Sequence, residues 1–316
     1  MNTMDRIEKN ENKHEFHKIG MTGEIFRQMG LEEYLEDEIL FKNVGYDGKI
    51  YILASKRSKE VDARFDTIVL VLGLDWDSGE ILSADVLRMK DAHTYWEAEP
   101  FGDDILLYIA GSEKDSETGE PDNNAAVYSK EGNFIKGFFT GDHGSPMFTT
   151  KDRRVIVGYD ELGIWGFDES DILLGRSGLV VWDENGNKIW DNHEDMDILD
   201  MYAMNIDDEG NIWYHPYSTF GLKKLDKDYK KTHINLDIKG CKEIIIPASN
   251  KGVIVDGGYN HNKEHYKYDI VDGCLKNKRR IRFICDDVEI DPYIIRSYGS
   301  LAMIEDRGGN LYCSRF

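Results

Sequence analysis

Asp208-Glu209-Gly210-Asn211-Ile212-Trp213 compresses a turn and the start of a strand into six residues. Gly and Asn tolerate the positive φ that reverses the backbone, and the β-branched and aromatic residues behind them suit a pleated surface. The same signature returns as Asp47-Gly48-Lys49-Ile50-Tyr51 and as Asp306-Arg307-Gly308-Gly309-Asn310-Leu311-Tyr312. A further copy, Asp183-Glu184-Asn185-Gly186-Asn187-Lys188-Ile189-Trp190, occupies a different place in the repeat. Recurrence at intervals of tens of residues marks an array of one supersecondary unit, not an isolated hairpin.

Outward from these turns, apolar runs at 49–54, 105–110, 154–159, 211–215, 252–256 and 310–314 read as the second strand of six repeats. Their central residues Ile50, Leu106, Ile156, Ile212, Ile254 and Leu311 step by roughly 40 to 60 positions, the spacing of four-stranded propeller blades with variable loops. Apolar segments at 37–44, 147–150, 202–206, 243–247 and 300–304 precede them as innermost strands, and hairpins follow them. Helical periodicity is confined to short stretches such as 29–38. An all-β chain is predicted: a six-bladed β-propeller forming one domain over residues 1–316.

The last repeat stops at Phe316, directly after its second strand, while 15–19 and 24–29 form an unassigned hairpin across Gly20-Met21-Thr22-Gly23. Closure of the last blade is therefore expected from N-terminal strands in the third and fourth places pairing with C-terminal strands in the first and second. Residues 1–13 are strongly polar and read as a disordered lead-in.

With 316 residues, 41% hydrophobic and 11% aromatic, the chain can bury a large core. Lys+Arg at 39 against Asp+Glu at 60 leaves a net charge of −21, which repels phosphate backbones and anionic headgroups. Nucleic acid and membrane are set aside as partners; a metal ion, a cationic ligand or a basic protein fits the charge better, although acidity also serves solubility alone. Cys241, Cys274, Cys285 and Cys313 lack Cys-x-x-Cys spacing and read as reduced structural thiols. With no apolar signal core at the start and no run of about 18 apolar residues, a cytoplasmic monomer is expected.

Connections between second and third strands are long at 55–64, 111–123, 160–176 and 257–265, and they share one face with the connections between blades. Long loops on a rigid scaffold are where binding groups sit. Three interblade connections pair acids with histidine: Asp91 with His93, Asp142 with His143, and His193 with Asp195, leading to Asp200. Converging at a channel mouth, these would hold Mn or Zn, or Ca where carboxylates dominate; as ordinary loop residues they would cap turns and face water. In the longest loop Asp160 and Glu161 flank Trp165 and Phe167, which either close over the channel or form an aromatic wall with an acidic rim. Tyr202, Asn205, Tyr217 and Tyr259 are placed on the same side as ligand-binding candidates. No Gly-x-Ser-x-Gly, His-Glu-x-x-His or Gly-x-x-x-x-Gly-Lys-Ser/Thr motif is present.

Gly158-Tyr159-Asp160-Glu161-Leu162-Gly163-Ile164-Trp165-Gly166, Gly178-Leu179-Val180-Val181-Trp182-Asp183 and Ile198-Leu199-Asp200-Met201-Tyr202-Ala203-Met204-Asn205 carry a resemblance. This central part is similar to a group of uncharacterised bacterial proteins with a propeller-type repeat, and the resemblance implies the fold and singles out the Asp160 loop. At the broad level the architecture resembles the six-bladed NHL and gluconolactonase type, which includes metal-dependent lactonases. Three functional expectations follow. The first is a non-catalytic module binding a small-molecule or protein ligand on the long-loop face. The second is a metal-dependent hydrolase using the Asp/His set, and the third an acidic antagonist of a basic protein.

Overall fold

The structure is a computed structural model describing residues 12–35, 39–57, 65–90, 92–111, 121–166, 173–194 and 197–316. The chain begins with β1 (Asn12–Glu15), β2 (His17–Met21) and the short helix α1 (Thr22–Gln28). Three four-stranded antiparallel sheets follow. The first is β3 (Ile39–Val44), β4 (Lys49–Arg57), β5 (Phe65–Leu74) and β6 (Ile81–Met89). The second is β7 (Glu97–Phe101), β8 (Asp104–Tyr108), β9 (Ala125–Tyr128) and β10 (Phe134–Phe138). The third is β11 (Gly144–Thr149), β12 (Val155–Tyr159), then α2 (Glu161–Trp165), β13 (Leu179–Trp182) and β14 (Lys188–Asp191).

The fourth sheet is β15 (Met201–Ile206), β16 (Ile212–Pro216), β17 (Leu222–Leu225) and β18 (Lys231–Ile234). The fifth is β19 (Ile244–Ile245), β20 (Gly252–Gly257), then α3 (Gly258–His261), β21 (Asn262–Val271) and β22 (Cys274–Cys285), with β23 (Val288–Glu289) and the parallel β1 added at β22. The sixth joins β24 (Pro292–Tyr298), β25 (Leu301–Asp306) and β26 (Asn310–Arg315) to β2. Six successive meander sheets make the chain a six-bladed β-propeller.

Two compact units divide it. One comprises Gly23–Leu74 and Ile81–Met201, the other the N-terminal stretch through Thr22, Asp75–Glu80 and Tyr202–Phe316. The first unit's core includes Tyr51, Leu53, Val69, Tyr95, Leu107 and Tyr128. The second holds two clusters, around Trp213, Leu222, Ile246 and Val255, and around Phe16, Ile254, Phe283 and Ile304. Among the described residues no helix is long and apolar enough to cross a membrane, and the four cysteines are free thiols.

In the 208–213 copy the turn is anchored one residue earlier than the sequence reading began it, at Asp207. Asp207 Oδ1 accepts the N–H groups of Glu209 and Asn211 at 3.0 and 2.9 Å, and the Asn211 side chain and Trp213 Nε1 donate to Oδ2, both at 2.8 Å. Asp306 repeats this with Gly308, Asn310 and the Tyr312 hydroxyl, and Asp47 receives the Tyr51 hydroxyl at 2.9 Å. An aromatic near the start of the strand is thus tied back to the carboxylate that opens the turn. Each anchor satisfies turn N–H groups that would otherwise compete for water.

A second device lies between the third and fourth strands. Gly132 has φ +76°, and an added Cβ would sit 1.7 Å from the carbonyl oxygen of Arg88 at the end of β6. There Lys90 N–H donates to the Gly132 carbonyl at 2.8 Å, so the turn of one blade is clipped to the outer strand of the preceding one. Gly79 and Gly186 also come close to outer-strand residues, Gly79 to the Lys18 carbonyl and Gly186 to the Phe138 side chain.

The closure differs from the expectation. Only β2 joins the last blade, as its outer strand beside β26, and the segment expected as the second N-terminal strand is α1. The last repeat supplies three strands because β24, unassigned in the sequence reading, pairs with β25 along its length. The Asp306 turn consequently lies between second and third strands, not between first and second. Asn12 and Lys13 of the expected lead-in are strand, paired with Ile281 and Arg282; residues 1–11 lie outside the described part. β7 also escaped the sequence reading because Glu97-Ala98-Glu99-Pro100-Phe101 contains proline. Pro100 turns its backbone away from β8, its carbonyl accepting the Thr149 hydroxyl at 2.7 Å, so the missing N–H costs no ladder bond.

Candidate functional site

In the second unit, Tyr202 lies near the start of β15, Tyr217 and Phe220 lie in the β16–β17 connection, and Tyr259 lies on α3 between β20 and β21. All four rings meet. Tyr202 lies 5.7, 6.4 and 6.0 Å from the centroids of Tyr217, Phe220 and Tyr259, and Tyr217 meets Phe220 edge to face at 5.2 Å. The Tyr259 hydroxyl donates to the Tyr202 hydroxyl at 2.6 Å. Tyr217 is 40% and Tyr259 55% exposed, so the cluster presents ring surface outward while packing on itself.

Local backbone features put the rings there. Ser218 and Phe220 adopt φ +93° and +50°, a left-handed excursion that costs a non-glycine residue of order 1–2 kcal/mol and turns the Phe220 ring back over the loop. Gly240 lies under Tyr259, whose ring would be 2.5 Å from an added Cβ, and Tyr259 N–H donates to the Lys239 carbonyl at 3.1 Å. His215, fully buried, donates from Nδ1 to the Gly221 carbonyl and accepts the Gly240 N–H at Nε2, both at 3.3 Å. Burial pushes this imidazole down to about 4, which keeps it neutral and able to accept. Asp256 accepts the N–H groups of Lys242 at 2.8 Å and of Glu243 and Gly258 at 3.3 Å, joining the segment before β19 to the start of α3. Its carboxyl is raised to about 6 by burial and by neighbouring Glu243, which itself bonds His265 at 2.9 Å.

Two lysines border the rings. Lys242 Nζ is 3.6 Å from the Tyr202 centroid and Lys239 Nζ is 5.6 Å from that of Phe220. Sequence reasoning missed Phe220, His215, Lys239 and Lys242. The only local sign was the aromatic of Ser218-Thr219-Phe220-Gly221 standing outside any strand.

Asn205 is elsewhere, fully buried at the end of β15. Its amide donates to the Ile244 carbonyl at 2.6 Å, Ser297 Oγ at 3.1 Å and the Gly299 carbonyl at 3.3 Å, and its oxygen accepts the Gly299 N–H at 2.8 Å. It clasps the innermost strands of three blades and exposes nothing to a ligand.

In the other unit, Asp160 caps α2, accepting the Leu162 and Gly163 N–H groups at 2.9 and 3.0 Å, and its second oxygen is 3.5 Å from His143 Nδ1. Glu161 is exposed, Ile164 is buried and Trp165 stands 58% exposed; Phe167 lies outside the described residues. His193 hydrogen-bonds Asp191, which also receives Lys188 Nζ at 2.6 Å, and His93 is exposed. Asp142 adjoins His143 in sequence, and Asp200 is partly buried just before β15. Among the described residues no three His, Cys, Asp or Glu side chains come together as a metal-holding group. Asp91 and Asp195 lie outside them.

A cleft of about 440 Å³ is lined by Lys18, Cys285, Glu289, Asp291, Arg307 and Tyr312. Its acids are spoken for in part: Glu289 pairs with Arg282 at 3.4 Å and Asp291 with Lys263 at 3.8 Å.

No protein-family model matches the chain, and no curated protein does. Solved structures are similar in fold. The protein described as YCF48 bound to D1 peptide shares 12% identity at a TM-score of 0.49, over 87% of this chain and 78% of that one. Hydrazine synthase of Kuenenia stuttgartiensis shares 10% identity at a TM-score of 0.46, over 87% and 82%.

Proposed function

We propose that this chain is a non-catalytic binding propeller whose ligand surface is the ring cluster of Tyr202, Tyr217, Phe220 and Tyr259 in the fourth and fifth blades. The observation that carries the reading is that Tyr217 and Tyr259 keep 40% and 55% of their surface exposed while held in place by neighbouring rings. Rigid aromatic surface, prepaid in conformational entropy, is what binding hot spots are made of. An open patch of this kind suits an extended polypeptide segment, whose apolar side chains lie against the rings while its backbone stays wet.

The test is selection from a displayed random peptide library on the immobilised protein, with Tyr217→Ala/Tyr259→Ala as counter-target. Peptides carrying aromatic or branched apolar residues are expected to bind the natural chain and to lose at least about tenfold on the variant, the weight of one hot-spot ring. Enrichment that is indifferent to the two tyrosines would refute the site.

A further inference from the structure

Lys239 and Lys242 differ in one respect from the other lysines bordering these loops. Lys278 is held by Asp237 at 2.9 Å, and Lys263 reaches Asp291 at 3.8 Å. The ammonium groups of Lys239 and Lys242, both exposed residues, have rings as their only partners among the described residues. The nearby acids are engaged elsewhere. Asp237 binds Lys278 and the Tyr268 hydroxyl, Glu243 binds His265, and Asp256 is buried under backbone N–H groups. In a chain of net charge −21, the ring surface is thus edged by two ammonium groups that no carboxylate neutralises.

A cation over a ring face keeps most of its attraction for an anion arriving from the open side, because the ring supplies only a quadrupole and no charge. The protein's overall negative field is screened beyond about 8 Å at physiological salt, so a bound segment senses chiefly the charges beside it. Lysine stems also lie along apolar surface while the heads stay wet, which puts each ammonium at the border between ring and water.

From this charge complementarity we propose that the surface selects an acidic peptide segment, with an aromatic or branched side chain on the Tyr217/Phe220/Tyr259 rings and Asp or Glu carboxylates reaching Lys239 and Lys242. The proposal rests on the ring cluster being the binding surface. It names the class of partner, which that reading leaves open.

Fluorescein-labelled synthetic peptides alternating Glu with Trp, and matched peptides with Lys in place of Glu, test it by anisotropy against the natural chain. The variants are Lys239→Gln/Lys242→Gln, Lys242→Arg and Tyr259→Ala. Both lysines are exposed, and thermal melts of the glutamine variant check that its fold is intact. The Glu peptide is expected to bind more tightly than the Lys peptide, with a loss of about two- to fivefold for each lysine neutralised and retention in Lys242→Arg. Added salt should erode the difference. Equal binding of both peptides, still lost in Tyr259→Ala, would overturn the charge selection and leave the ring surface standing. Preference for the Lys peptide would overturn it as well. Binding of neither peptide, or binding indifferent to Tyr259→Ala, would overturn both.

Discussion

Replacing Asn205 by aspartate changes an amide NH₂ into an oxygen and leaves the shape of the side chain intact. In the native site that NH₂ faces three acceptors, the Ile244 carbonyl, Ser297 Oγ and the Gly299 carbonyl, at 2.6, 3.1 and 3.3 Å. Two of these keep another donor: Ser297 Oγ–H donates to the Ile244 carbonyl at 3.0 Å, and Ile246 N–H to the Gly299 carbonyl at 3.1 Å. Asn205→Ala therefore strands the Gly299 and Ile206 N–H groups, which Oδ1 accepts at 2.8 and 2.7 Å, and should cost about 2–3 kcal/mol. Asn205→Asp at neutral pH instead sets a buried carboxylate against oxygen atoms, a cost of about 3–5 kcal/mol. The new carboxyl would titrate above the ordinary aspartate value in the folded state, so its protonated form supplies stability below the unfolded value that is lost as pH rises through the folded one. Once protonated it can donate to the Ile244 carbonyl and still accept the Gly299 N–H. Urea unfolding at pH 8, 6 and 4 should show Asn205→Asp below Asn205→Ala at pH 8 and level with it or above it at pH 4. An aspartate variant as stable as the natural protein at pH 8, or a gap that ignores pH, would refute the clasp.

Other outcomes follow from the same geometry. Gly132→Ala combines a left-handed backbone with a Cβ 1.7 Å from the Arg88 carbonyl and should cost about 2–4 kcal/mol, read as a lowered urea midpoint; a neutral effect would mean that the turn is not clipped to β6. Asp256 titrates from 3.8 unfolded to about 6 folded, so its protonated form stabilises below pH 4 and that contribution, about 3 kcal/mol, is gone by pH 7. The stability difference between the natural chain and Asp256→Asn should therefore move toward the variant as pH rises across this window, and a difference constant with pH would contradict the burial of the carboxyl. Deletion of residues 1–21 removes β1, Phe16 and β2 together. It should broaden or abolish the cooperative transition followed by circular dichroism, whereas a normal melt would show that the last blade does not need its outer strand.

Repeat number and most strands of the blades were legible along the chain because a turn that must carry positive φ and a strand that must carry β-branched and aromatic residues are local demands. Ile212 and Trp213 report their conformation without help from distant residues. The strand division of the last blade was not legible. Residues 292–298 alternate apolar with polar too loosely to distinguish a first strand from a linker, and 24–28 carry enough Ile and Phe to pass for a strand. Only pairing decides both, since β2 can occupy one place beside β26 and no second place remains.

For the candidate site, the sequence singled out Tyr202, Tyr217 and Tyr259 as loop-side aromatics, and those three meet. Asn205, three residues from Tyr202, was grouped with them but takes a buried role, because Tyr202 lies near the start of β15 beside the loops whereas Asn205 lies near its far end among other backbones. Sequence by itself determined the array, its blade count and the aromatic content of its loops, because these depend on backbone preferences within a few residues. The tertiary structure alone decided which strand closes the last blade, which acids are spent on turns and loops, and which lysines are left facing rings, because each is settled by partners tens to hundreds of residues away.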